Sequence, residues 1–261
     1  MVLDNKFVIV IPTYNAESLI EKCLMSILSQ NFDDLGVIIR DDISTDRTSE
    51  VVKNLLGVNE DKFKTQYMGK DVIYYRNDEK LYPLGNTYES AVKMVKNPNA
   101  VIGVVDGDDM LANRNAVKLV NDSYGEDENR WLVWSQHVNS NGTPGQSRSL
   151  PPDSVIYGSR NYWSVTHFRT SKVGLFHKLK EEDLIDPFHK DSYYRFSGDA
   201  AFLFPFIEMC GNEHSHFINK ALYLYNNNLP TNEHVKDLSS ALKYGRHIKS
   251  IKNQYSKLES L

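Results

Sequence analysis

The chain has 261 residues, 41% of them hydrophobic and 25% charged, and a formal net charge of −4. These are ordinary globular values, and the balance excludes a chain that binds nucleic acid through a broad basic surface. No apolar run reaches membrane-spanning length, and the length suits one large α/β domain or a domain with an appended subdomain.

In chain order, the first residues carry Asp4 and no basic start. The apolar stretch at 7–11 ends in Pro12 and reads as a strand, not a signal peptide. Residues 16–30 hold Leu19, Ile20, Cys23, Leu24, Ile27 and Leu28 at helical spacing. Residues 37–39 are a second strand. Residues 46–56 read as a helix capped by Thr45 or Asp46, with Val51, Val52, Leu55 and Leu56 inward. A third strand falls at 72–75, a helix at 85–96 stopped by Asn97 and Pro98, and a fourth strand at 101–105. The second half is less regular. It offers a strand at 131–138, a polar loop at 139–158, helices at 170–179 and 198–210, a strand at 220–225 and a last amphipathic helix at 235–258. Strands alternating with helices predict an α/β fold with a mostly parallel central sheet flanked by helices. Cys23 and Cys210 lack CxxC spacing and read as reduced thiols of a cytosolic chain.

In such sheets ligands bind beyond the carboxyl ends of the strands. Three polar clusters fall there: Pro12, Thr13, Tyr14 and Asn15 after the first strand, Asp41 and Asp42 after the second, and Asp106-Gly107-Asp108-Asp109 after the fourth. Three carboxylates in four residues repel one another unless a cation sits among them. Hard divalent cations such as Mg²⁺ or Mn²⁺ suit that donor set and bridge to phosphates. Gly107 allows the backbone to approach a ligand closely. A carboxylate at the second strand's end can accept from a nucleobase or ribose, and Tyr14 offers a ring for stacking. A solvated turn is the plainer reading of any one cluster; their convergence on one sheet edge argues against it.

Together, residues 10–15, 41–48 and 106–109 resemble, in order and spacing, the family 2 glycosyltransferases of the GT-A fold. The resemblance covers roughly residues 7–125. It implies a nucleotide-sugar donor, with Pro12, Thr13, Tyr14, Asn15, Asp41 and Asp42 on the base side. It implies Asp106, Gly107 and Asp108 on the ribose and diphosphate, and Asp108 and Asp109 as candidate ligands of a Mn²⁺ or Mg²⁺ ion. Residues 1–125 would be the nucleotide-sugar half of a single domain, 126–234 its acceptor half, and 235–261 the C-terminal helix. Two departures stand out. Ile43 replaces the common glycine of the second motif, which is acceptable where no positive φ is needed. Ser90 and Ala91 replace an Arg-Asn pair after Gly85, so that a diphosphate or sugar contact would be either lost or supplied by Lys80 or Arg76.

The segment 194–202 resembles the family's acidic motif at the start of a late helix. Asp199 would then be the general base of an inverting transfer to a hydroxyl, on a glycan for instance. Helix capping is the competing role, and Glu181, Glu182, Asp183, Asp186 and Asp191 are competing acids. His167 could bind acceptor or phosphate or serve structurally. His234 is a candidate third metal ligand. Trp163 is the preferred sugar-stacking ring, while Trp131 and Trp134 read as core. The last helix has a basic face and is read foremost as packed on the domain. Its alternatives are a contact with a membrane surface, which would make the chain peripheral, or with a second copy. A sugar-phosphate nucleotidyltransferase is disfavoured because no glycine- and basic-rich loop follows the first strand. A non-catalytic carbohydrate-binding relative is disfavoured by the intact acidic motifs.

Overall fold

The structure is a computed structural model that describes every residue except 228, 230–234, 236 and 253. Strands β1 (Phe7–Thr13), β2 (Leu35–Asp41), β4 (Lys70–Arg76) and β5 (Val101–Val104) pair in parallel in the order β4-β2-β1-β5. Every residue of β1 and β2 is buried, as expected of parallel strands covered on both faces. Side chains alternate across the sheet. Phe7, Ile9 and Ile11 meet α1 (Ile20–Leu28), α2 (Thr48–Leu56) and α4 (Ala116–Glu126). Val8 and Val10 face the layer of α3 (Tyr82–Met94), α6 (Val173–Lys178) and α7 (Gly198–Cys210). Between these lies the short α5 (Asp153–Ile156).

Beyond β5 the sheet becomes mixed. β8 (Arg169–Lys172) pairs antiparallel with β5 and with β7 (Leu132–Asn139), and β9 (Ser215–Tyr225) pairs parallel with β7 and antiparallel with β6 (Met110–Leu111). On the other edge β3 (Lys62–Tyr67) forms a hairpin with β4 through Met68 and Gly69, both at positive φ. Parallel order therefore holds for β1, β2, β4 and β5 but not for β3 or β6, and one sheet runs through both halves of the chain.

The segment 170–179, expected as one helix, is a strand followed by the short α6. Its first residues pair on both sides with neighbouring strands, and that pairing overrides local preference. α3 begins at Tyr82 because Pro83 suits a helix's first turn. The last helix, α8 (Leu238–Ser250), is shorter than expected at both ends. Asp237 caps it by accepting from the Ser240 N–H at 3.0 Å. The tail then folds back on α7: Leu258 N–H donates to the Met209 carbonyl at 2.9 Å, and Gln254 and Tyr255 N–H groups donate to Glu208. Glu208 also forms a buried bidentate pair with Arg160 (2.6 and 2.9 Å). Cys23 and Cys210 are buried free thiols.

Candidate active site

Because β1, β2, β4 and β5 run in parallel, their carboxyl ends deliver residues 12–15, 41–46, 76–77 and 106–109 to one sheet edge. Backbone bonds stitch these loops together: Asp42 N–H to the Thr13 carbonyl (2.9 Å), Gly107 N–H to the Pro12 carbonyl (3.1 Å) and Asn77 N–H to the Asp41 carbonyl (2.9 Å). A side chain at Gly107 would collide with Thr13, so this close packing of the two loops requires glycine. Among the described residues, four of the five non-glycine residues at positive φ, namely Asn15, Ile43, Tyr82 and Ser197, lie in the loops and helix starts around this edge. Such strain persists where surrounding structure enforces it. Ile43, at φ +62°, occupies the left-handed conformation that a glycine would adopt freely, so this position does require positive φ.

Asp41 and Asp42 are buried and fully engaged. Asp41 accepts from Ser44 N–H (2.8 Å), the Tyr74 hydroxyl (3.0 Å) and Arg76 (2.8 Å). Asp42 accepts from Asn77 (2.8 Å), Leu81 N–H (2.8 Å) and Tyr82 N–H (3.0 Å), with the Lys80 ammonium at 3.4 Å. Asp42 thus organises the loop into α3. The groups this leaves at the surface are Tyr14, Asn15, Arg76 and Lys80; Tyr14 is 41% exposed, and its ring carries the Lys80 ammonium 2.9 Å from the centroid.

At the end of β5 three carboxylates stand together. Asp109 is 1% exposed and accepts from the Tyr223 hydroxyl and from Asn226 N–H, both at 2.7 Å. The same Tyr223 oxygen accepts from Asp106 N–H at 3.2 Å. Burial, then the charges of Asp106 and Asp108, raise the Asp109 carboxyl well above its ordinary range. Burial and the neighbouring Asp106 push Asp108 up to about 6. Helix α1 braces the segment that follows. The Cys23 thiol reaches the Asp106 carbonyl at 3.5 Å, the Ser26 hydroxyl accepts from Leu111 N–H, and Gln30 bonds the Asn113 carbonyl and Val117 N–H.

Asp199 lies in the first turn of α7, beside this cluster. Arg169, 7% exposed at the start of β8, sits 3.3 Å from Asp199 and 3.6 Å from Asp106. Antiparallel pairing explains the placement: β8 starts at the edge where β5 ends. Burial disfavours the guanidinium charge, but Asp199 and Asp106 outweigh it and raise the pKa of Arg169. Most competing acids have other partners. Glu181 binds Tyr193, Asp183 binds Tyr255, Asp191 pairs with Arg195, and Asp186 is wholly buried with Tyr244.

One ligand atom each from Asp106, Asp109 and His167 lie within 4.8 Å of one another. Two carboxylates and an imidazole form a donor set for a divalent cation. His167 Nδ1 is buried without a hydrogen-bond partner. Burial, Arg169 and His137 hold its pKa well below the ordinary value, so the ring stays neutral, as a ligand must. Tyr223 and Tyr225 stack on the ring at 4.6 and 4.9 Å. The donor set therefore fits a cation, with His167 joining Asp109, while Asp108 lies outside this group. His234 lies outside the described residues.

Arg169 and Tyr223 carry no sequence motif; only the pairing of β8 with β5 and of β9 with β6 brings them here. Trp134 donates to the Arg148 carbonyl and Trp131 stacks on His214, both in the core. Trp163 is half-buried and packs on Phe204.

The family model described as "Glycosyl transferase family 2" matches residues 8–184. The chain is 26% identical over 187 residues to the poly(ribitol-phosphate) beta-glucosyltransferase of Bacillus spizizenii, covering 70% of this chain and 27% of that protein. Over 50 residues it is 46% identical to the GalNAc(5)-diNAcBac-PP-undecaprenol beta-1,3-glucosyltransferase of Campylobacter jejuni, covering 19% of this chain and 16% of that protein. The chain thus spans less than a third of these relatives. Among solved structures, Staphylococcus aureus TarS 1-349 in complex with UDP-GlcNAc matches with a TM-score of 0.61 at 17% identity, over 89% of this chain and 61% of that one. Glucosyl-3-phosphoglycerate synthase from Mycobacterium tuberculosis, in complex with Mn²⁺, UDP and phosphoglyceric acid, matches with a TM-score of 0.62 at 12% identity, over 97% and 80%. These structures share the mixed α/β fold of the GT-A glycosyltransferases.

Proposed function

The chain belongs to glycosyl transferase family 2, and from that membership we propose that it transfers a sugar from a nucleotide-diphosphate sugar to an acceptor hydroxyl on a glycan, with inversion. The observation that carries this reading is the meeting, at one sheet edge, of the acidic cluster and the separate carboxylate Asp199, bridged by Arg169. The cluster suits the diphosphate leaving group, and Asp199 suits the acceptor.

In this reading the base stacks at Tyr14, with Lys80 and Arg76 at hand, and Asp41 and Asp42 hold the loops that present them. A UDP-sugar is the favoured donor, since the similar TarS structures are complexes with UDP-GlcNAc and with UDP. Asp106, Asp109 and His167, with Asp108 beside them, would hold a Mn²⁺ or Mg²⁺ ion. When bound, such a cation neutralises charge on the departing diphosphate. Asp199 takes the proton of the attacking hydroxyl, and Arg169 orients that carboxylate toward the cluster. The bond from anomeric carbon to hydroxyl oxygen forms as the bond to diphosphate breaks, which inverts the centre.

The test is release of nucleoside diphosphate from UDP-, GDP- and dTDP-sugars, with and without Mn²⁺. Asp109→Ala and Asp199→Asn should each lower turnover by about 10²-fold or more. Unchanged turnover in both variants, or full activity after chelation, would overturn the assignment.

A further inference from the structure

The C-terminal helix has more than one working face. At about 100° per residue, Ala241, Tyr244 and Ile248 fall on the side that packs against the domain, and all three are buried. Leu238, Leu242, Lys243, Arg246 and Lys249 fall within an arc of about 140° on another side. Leu238 and Leu242 are each 53% exposed. Val235, just before the helix, is 58% exposed, and Phe188, held against Tyr244 and His247, is 38% exposed. Four of the ten most exposed large apolar side chains among the described residues therefore gather at this one element.

Charge gathers there too. Residues 235–261 contain six basic and two acidic residues, a net of +4, although the whole chain carries −4. Lys243, Arg246 and Lys249 make no ion pair among the described residues. The Lys243 ammonium lies 3.6 Å from the centre of the Phe188 ring. Leucines flanked by unpaired cations match the interface of an anionic bilayer, where apolar side chains enter the headgroup boundary and cations meet phosphate. A symmetric dimer through this face fits less well, because it would set the same cations against one another.

We propose that the outer face of α8, with Leu238, Leu242, Lys243, Arg246 and Lys249, docks the protein on an anionic membrane surface. The docking face is tied to the acceptor side of the site. Asp186 accepts from the Tyr244 hydroxyl at 2.6 Å and from Phe188 N–H at 2.8 Å, so α8 is bonded to the loop before α7. Ser197, two residues before Asp199, reaches the Ala241 carbonyl at 3.5 Å. Docking would thus set the entrance beside Asp199 near the bilayer.

Co-sedimentation with vesicles tests this. The protein should pellet with phosphatidylcholine vesicles containing about a third phosphatidylglycerol, stay in solution with pure phosphatidylcholine, and be released near 1 M salt, where the Debye length is about 3 Å. Leu238→Asp with Leu242→Asp, and separately Lys243→Glu, Arg246→Glu and Lys249→Glu together, should each weaken binding at least tenfold, with donor turnover in the absence of vesicles unchanged in the leucine variant. Should the aspartates prevent folding, as seen by circular dichroism, Leu238→Ser with Leu242→Ser replaces them. Equal binding to both vesicle types, variants that pellet like the unaltered protein, or a dimer in solution that the leucine substitutions split into monomers would each overturn the proposal. Because turnover is measured separately, loss of docking and failure of the transferase reading are distinguishable.

Discussion

The Arg169 guanidinium stands between two carboxylates, 3.3 Å from Asp199 and 3.6 Å from Asp106. One residue of β8 thereby links the acidic cluster at the end of β5 to the first turn of α7. Each carboxylate is partly exposed, so solvent screens the two ion pairs and their value lies more in orientation than in stability. Arg169→Ala should therefore lower kcat by about 10²-fold, with a much smaller change in donor KM. Arg169→Lys should recover part of the loss, because a lysine keeps the charge but not the fork. Steady-state kinetics with saturating acceptor separate the two parameters. An unchanged kcat in the alanine variant would remove Arg169 from the proposed machinery.

Tyr223 offers a second measurement. Its hydroxyl donates to Asp109 and accepts from Asp106 N–H, so Tyr223→Phe removes a partner from each. Leaving a buried acceptor unpaired costs about 1–3 kcal/mol, which thermal unfolding would read as a lower Tm. Groups that orient metal ligands alter affinity by about 10–100-fold, so the Mn²⁺ concentration for half-maximal turnover should rise by that order. A variant with unaltered Tm and unaltered Mn²⁺ response would show that Asp109 is held without the hydroxyl.

Ile43 tests the strain in the second loop. A left-handed conformation costs a side-chain-bearing residue about 1–2 kcal/mol, and Ile43 adopts it at φ +62°. Glycine would relieve that cost, offset by about 0.5–1 kcal/mol of added freedom in the unfolded chain. Ile43→Gly should leave stability within about 1 kcal/mol of the starting protein, whereas truncating a well-packed isoleucine costs about 2–5 kcal/mol. Chemical denaturation decides, and a loss in the larger range would mean that packing, not backbone strain, governs this position.

How much of this is legible before folding depends on how local each feature is. Asp106 to Asp109 follow directly on a buried apolar run, and Asp41 and Asp42 follow another after Arg40, so their place at strand ends can be read from neighbouring residues. The parallel order of β1, β2, β4 and β5 follows from strands alternating with helices. By contrast, residues 170–172 read as part of a helix until their pairing with β5 and β7 is seen. The need for positive φ at Ile43 is likewise invisible in the residue type, since isoleucine gives no hint of a left-handed turn.

Contiguous chemistry thus comes from the amino-acid order alone: the α/β pattern, the acidic cluster, and Asp199 at a helix start. Tertiary contact alone decides which distant groups serve that chemistry. Arg169 and His167 reach the cluster because β8 runs antiparallel to β5, and Tyr223 because β9 ends beside Asp109. Tertiary contact also supplies Asp42 with hydrogen bonds from Asn77, Leu81 and Tyr82. The physical reason is range. Local periodicity and turn chemistry act over a few residues, whereas strand pairing brings together residues separated by more than a hundred, such as Asp109 and Tyr223, and leaves no mark on the sequence near either.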